Sequence, residues 1–150
     1  MLYRFERFSC SISEISRYWH KIASDEMEKY GLKSSHAVYL ATLSRYPEGV
    51  SSCKLCEISG RDKSDVSRMV SILESKGLVF RKNESANLYR AAICLTDEGK
   101  EAAEHVQHRA MIAVDMAGQG LTEDERETFY RALDIISENL RVLSKDGLPK

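Results

Sequence analysis

The chain has 150 residues, of which 43% are hydrophobic and 30% charged, and a formal net charge of −1. That size fits one domain or a compact pair sharing a core, and that balance excludes a disordered tail. It also excludes a membrane-spanning chain, because no uncharged stretch reaches the roughly 18 apolar residues a spanning helix needs.

The first segment, from about Tyr3 to Tyr30, places Phe5, Phe8, Ile12, Ile15, Trp19 and Ile22 at alternating spacings of three and four. That is a heptad seam, and a helix of such length is too long for so small a domain to cover, so part of it should meet another helix or another chain. A second helix is expected after the caps Ser34 and Ser35, carrying Val38, Tyr39, Leu40 and Leu43 up to the break at Tyr46-Pro47-Glu48-Gly49. A short third helix runs from Ser51 to about Ile58. A fourth opens at Asp62, with Asp65 at capping-box spacing, and stops at Lys76-Gly77. Leu78 to Arg81 and Tyr89 to Leu95 read as two short strands around a polar loop. A fifth helix follows the cap Thr96, with Ala103, Val106, Ala110, Ala113 and Ala117 on one stripe. The sixth starts at Thr122 in a capping box with Glu125, and carries Phe129, Leu133, Ile136, Leu140 and Leu143. Two prolines and eight glycines are few breakers, which agrees with this mainly helical order.

Charge is unevenly spread. Residues 54–90 carry eight basic and five acidic side chains, whereas residues 91–146 carry six basic and twelve acidic. The basic stretch coincides with two helices around the tight break Ser59-Gly60-Arg61, a helix-turn-helix, and the hairpin after it makes the unit winged. On the second of these helices Val66, Met69, Val70 and Leu73 share one face. Ser64, Ser67, Arg68 and Ser71, with Lys63 beside them, share the other. Small hydroxyls let a helix seat deeply in a groove and donate to phosphates or base edges, and Arg68 can reach a guanine bidentately. Asp65 is awkward on such a face unless it serves the cap or pairs with Arg68.

The sequence at this point resembles the MarR family of dimeric winged-helix repressors. The resemblance rests on Leu32-Lys-Ser-Ser-His-Ala-Val-Tyr-Leu-Ala-Thr-Leu43, Lys54-Leu-Cys-Glu-Ile-Ser-Gly60, the run from Asp62 to Val79, and Leu95-Thr-Asp-Glu-Gly99. It covers nearly the whole chain. It implies a mainly α fold with a small β-hairpin wing: a winged helix-turn-helix DNA-binding lobe over residues 34–96, flanked by a helical dimerisation region of residues 1–33 and 97–150. By position it implies DNA contacts from Lys63, Ser64, Ser67 and Arg68, to which Ser71 adds a hydroxyl on the same face. The family's wing carries Asp-x-Arg. Here those positions read Asn87-Leu88-Tyr89, with Arg90 one residue late, so Arg90, Arg81 and Lys82 are the wing cations to consider. Two reading helices related by a twofold axis would enter successive major grooves of a pseudo-palindrome about 10–10.5 bp apart.

Effectors of the resembled family bind between the winged lobe and the dimer helices. In this chain that region would draw on Trp19, His20, Tyr30, His36, Tyr39 and His108, a set suited to a small planar or phenolic ligand or simply to packing.

The opening MLYRFERFSC sets Arg4, Glu6 and Arg7 where a secretion signal would carry its apolar run, so a cytoplasmic chain is expected. In that compartment the four cysteines are expected as thiols. Cys53 and Cys56 form a CxxC on a helix, and Cys53, beside Lys54, is the candidate for redox chemistry, whereas Cys56 takes the place of a small buried alanine of the family and reads as structural. Cys10 lies beside the heptad seam and Cys94 in the second strand. His105 and His108, with Glu101 or Glu104, have half-site spacing for a metal, though helical histidines on a polar face are usually solvated.

The leading reading is a homodimeric, sequence-specific regulator acting on double-stranded DNA, expected to be a repressor in the resembled family's manner and released by a small aromatic ligand. A redox- or metal-responsive regulator of the same fold, and a winged-helix protein-interaction module without DNA, remain alternatives. An enzyme is not expected, nor a cofactor or a membrane partner. There is no Gly-rich phosphate loop or nucleophile–base pair, and the acidic run Glu123-Asp124-Glu125-Glu127 opens a helix whose macrodipole accounts for it.

Overall fold

The computed structural model describes residues 2–82 and 91–149. The element order is α1 (Leu2–Glu28), α2 (Ser35–Ser44), α3 (Ser52–Ser59), α4 (Lys63–Ser75), β1 (Val79–Lys82), β2 (Ala92–Leu95), α5 (Asp97–Ala117) and α6 (Glu123–Asp146). It is a mainly helical winged helix-turn-helix fold. The chain divides into two compact units, Met1–Met111 and Ile112–Lys150.

In the first unit one apolar cluster holds the elements together. Val66, Val70 and Leu73 of α4 are fully buried, with Leu40 and Leu43 of α2, Leu55 of α3, Ile93 of β2 and Ala103 of α5 around them. Among the described residues of α1, Met27 alone enters this core. Gly60 ends α3 at φ 65, a left-handed turn that costs a glycine little and lets α4 leave at a sharp angle. Asp62 then accepts the Asp65 backbone N–H at 2.8 Å and caps α4. Ser51 caps α3 in the same way, accepting from Lys54 N–H at 3.2 Å. Ser34, expected as a cap, is itself helical and makes no side-chain capping bond. Within α2, Tyr39, Leu40 and Leu43 are buried as expected, but Val38 is 57% exposed.

The hairpin is antiparallel, pairing Val79 with Leu95 and Arg81 with Ile93. Ile93 also exchanges two backbone hydrogen bonds with Val50, at 2.9 and 3.1 Å, so β2 is braced on both edges. The described part of the second strand starts at Ala92 rather than Tyr89; Tyr89 and the polar loop before it lie outside the described residues. Thr96 ties the hairpin base to α5. Its hydroxyl donates to the Gly77 carbonyl at 2.6 Å and accepts the Gly99 N–H at 3.0 Å. Gly99 passes so close to Leu78 that a β-carbon there would overlap the Leu78 carbonyl oxygen.

Glu26 ties α1 to α5. It accepts from Arg109 Nε at 2.9 Å, lies 3.3 Å from His105 Nε2, and pairs with Lys29, just past the end of α1, at 2.6 Å. Lys29, then Arg109 and His105, hold its carboxyl down at about 2, against an ordinary 4.5, although burial pushes the other way.

In the second unit, Thr122 and Glu125 form the expected reciprocal capping box at the start of α6. No residue of α6 is buried, and its stripe of Phe129, Leu133, Leu140 and Leu143 lies open. The seam of α1 is likewise open at Phe5, Phe8, Ile12 and Ile15.

Two outcomes follow. Gly99→Ala should destabilise the fold by about 1–3 kcal/mol through overpacking, read as a lowered thermal midpoint. Glu26 has a depressed folded pKa, so its contribution is full above about pH 4.5 and is lost as pH falls through about 2. Glu26→Gln should therefore be less stable than the parent at neutral pH, and the gap in denaturation midpoint should close as pH approaches 2.

Candidate nucleic-acid interface

One turn of packing explains the candidate surface. With Val66, Val70 and Leu73 buried, the 3.6-residue repeat sends Lys63, Ser64, Ser67, Arg68 and Ser71 outward, and all five are exposed. Lys63, Ser64, Ser67 and Arg68 form one wall of an open groove of about 640 Å³. Arg81 of β1 lines it from the wing, and Ser52, Cys53 and Cys56 line it from α3. Ser71 is on the same helix face but outside this groove. Lys82, next along β1 from Arg81, lines a separate depression with Phe80 and Cys94, because successive strand residues face opposite ways. Arg90 lies outside the described residues.

The charged groups on α4 are tied together. Arg61 donates to Asp65 at 3.0 Å, and Arg68 to the other Asp65 oxygen at 2.6 Å. Those guanidiniums, Arg61 first, hold the Asp65 carboxyl below its ordinary range. Asp65 therefore makes only half of the expected capping box: its backbone is capped, while its side chain turns to the two arginines instead of back to Asp62. Arg68 remains 69% exposed at its side chain, so its remaining donors stay available. Arg81 is steadied by Glu74 at 3.5 Å.

The six residues expected around an effector differ in their surroundings. His36 and Tyr39 lie on the inward side of α2, both 2% exposed. His36 accepts the Lys33 backbone N–H through Nδ1 at 3.1 Å, and burial pushes its pKa down. Burial likewise pushes the Tyr39 hydroxyl up. Tyr30 packs against the core and edge-on to His105, 6.2 Å between ring centres. His20 and His108 are exposed. Trp19 lines a cavity of about 190 Å³ between α1, α2 and α5, with Ile22, Val38, Val106, Gln107 and Arg109. Sequence reading passed over Val38 and Arg109 because their placement depends on how α2 and α5 are rotated.

His105 is occupied by Glu26, and no group of three or more His, Cys, Asp or Glu side chains among the described residues is arranged to hold a metal. Lys54 donates to Glu57 at 3.0 Å, so its ammonium is engaged along α3 rather than at Cys53. Cys53 and Cys10 are exposed, Cys56 is half-buried and Cys94 buried, and all are free thiols. No helix among the described residues is long and apolar enough to cross a membrane.

A family model described as the sugar-specific transcriptional regulator TrmB matches residues 27–93, from the end of α1 to the first half of β2. An uncharacterised HTH-type transcriptional regulator, YybA, of Bacillus subtilis (strain 168) is 23% identical over 129 residues, covering 86% of this chain and 85% of that protein. A Listeria monocytogenes structure ascribed to the MarR family, complexed with 26-mer DNA, superposes with a TM-score of 0.79 at 24% identity, over 93% of this chain and 95% of that one. A MarR family transcriptional regulator from Silicibacter pomeroyi superposes at 0.71 with 26% identity, over 87% and 88% of the two chains. The chain thus shares its winged helix-turn-helix fold with solved structures of MarR-family regulators.

Proposed function

We propose that the chain is a homodimeric transcriptional regulator that binds a pseudo-palindromic DNA operator and represses from it. The carrying observation is the groove walled by Lys63, Ser64, Ser67 and Arg68 of α4 and by Arg81 of the wing. Hydroxyls and cations on one exposed helix face, with no bulky apolar side chain among them, suit entry into a major groove. The Listeria monocytogenes neighbour of this fold was solved with DNA, which supports the same use here.

Residues 34–96 form the DNA-binding lobe in this reading, and residues 1–33 and 97–150 the dimerisation region. The open apolar seams of α1 and α6 support it, since contiguous apolar surface of that kind usually marks an interface. The cavity beside Trp19 is the effector site. At about 190 Å³ it is near the size of an apolar cavity of about 150 Å³ that takes up benzene, so a single aromatic ring fits it. Arg109 at its edge would receive an acidic or phenolic group. The protein acts in the cytoplasm, where the operator lies.

Arg68→Ala should weaken binding to the selected operator by about 1–3 kcal/mol and relax base preference at one position per half-site, checked by mobility shift on operator variants. If Arg68 contacts only phosphate, the loss will instead be uniform across sequences and the salt slope will fall by about one. Replacing Phe8 and Ile12 together with glutamate should turn the dimer into a monomer by sedimentation; an unchanged mass would overturn the dimer surface.

A further inference from the structure

Asp65 stands among the cations of α4, and the helix cap does not account for its side chain. Its backbone N–H is the part that Asp62 caps, at 2.8 Å. Its carboxylate takes two guanidiniums, one on each oxygen: Arg61 from the turn on Oδ2 at 3.0 Å, and Arg68 from farther along α4 on Oδ1 at 2.6 Å. The Asp65 side chain is 30% exposed and that of Arg68 69%, so the acid is the recessed partner and the guanidinium the forward one. Arg68 lines the groove together with Lys63, Ser64 and Ser67. Exposed ion pairs add little to stability, so stability does not explain an acid at the centre of this face.

We propose that Asp65 is a specificity-determining residue, which holds Arg68 for a guanine edge and keeps it off the phosphates. This rests on the DNA-binding reading of the same groove. A guanidinium carries five N–H donors in a rigid fork. The one N–H spent on Asp65 leaves an intact edge of two, and O6 and N7 of guanine are the major-groove acceptors that match such an edge. An unheld arginine on its flexible stem reaches the phosphates bordering the groove just as well, and those carry no sequence information. The carboxylate works against that second outcome in two ways. It limits the swing of Arg68, and its negative charge lowers the attraction of this end of α4 for any phosphate. Asp65 is thus a positioning residue that acts through Arg68 and touches no base itself.

This role separates two quantities that usually move together. Removing the charge frees Arg61 and Arg68 at once, so binding to DNA of any sequence tightens while preference for the operator falls. A residue that merely supported the helix would, when replaced, weaken both alike. One that read a base directly, as an acid reads the amino group of cytosine, would lose preference at a position other than that of Arg68.

The test uses the full chain and two duplexes, one selected by the parent from a random library and one of scrambled sequence. Asp65→Asn keeps the shape of the side chain and removes its charge. It should bind the scrambled duplex about threefold to tenfold more tightly, with a salt slope steeper by about one. Its preference for the selected duplex should fall about tenfold, at the guanine that Arg68→Ala also ceases to distinguish. In the Arg68→Ala background, Asp65→Asn should change the preference no further. Asp65→Glu, which keeps a carboxylate within reach of both arginines, should restore most of the preference. An unchanged preference in Asp65→Asn, an equal loss on both duplexes, or a loss at a base that Arg68→Ala still distinguishes overturns the proposal and leaves the DNA reading standing. A parent chain that selects no duplex overturns both.

Discussion

The burial of Val66, Val70 and Leu73 against Leu40, Leu43 and Ile93 is the constraint on which the rest of the first unit depends. A helix has one free rotation about its axis, and three fully buried side chains on one stripe remove it. Once they are seated, the direction of Ser64, Ser67 and Arg68 is no longer a choice. The neighbouring elements add to that fixing. Gly60 sets the angle at which α4 leaves α3, and the double bracing of Ile93 holds the sheet that the helix rests upon. The exposed face of α4 is thus fixed because its opposite side is close-packed, as interiors of folded proteins are.

Electrostatics on that face are arranged by one carboxylate. Asp65 gathers Arg61 and Arg68, 3.0 and 2.6 Å away, and so reduces the conformational freedom of two long side chains before any partner arrives. An acidic group among cations would ordinarily weaken approach to phosphate. Here it orients the Arg68 guanidinium, whose side chain stays exposed. Exposed ion pairs add little to stability, so positioning is the more substantial effect of this one.

Much of the fold could be read from residue order. The alternation of Val66, Met69, Val70 and Leu73 with serines located the buried stripe of α4, and Thr122 with Glu125 located the start of α6, because periodicity and capping are local. What failed depended on competition between partners or on tertiary rotation. Asp65 could satisfy a cap or an arginine, and the shorter acid found two arginines within reach. Ser34 continues the helical path and leaves its hydroxyl unused. His36 and Tyr39 look like ligand-binding residues by type, yet α2 turns them into the core and turns Val38 out, a rotation its evenly apolar sequence does not encode. The groove wall contributed by Cys53 and Cys56 was equally hidden, since it exists only where α3, α4 and β1 converge.

The Thr96 hydroxyl, bonded to Gly77 on one side and Gly99 on the other, has a mechanical meaning. With no side chain at Gly99, the two backbones are in contact, and no soft layer lies between them to absorb displacement. The root of the wing and the leading turn of α5 therefore travel as one piece. A tilt of α5 is delivered along β1 to Arg81 and not dissipated at the joint.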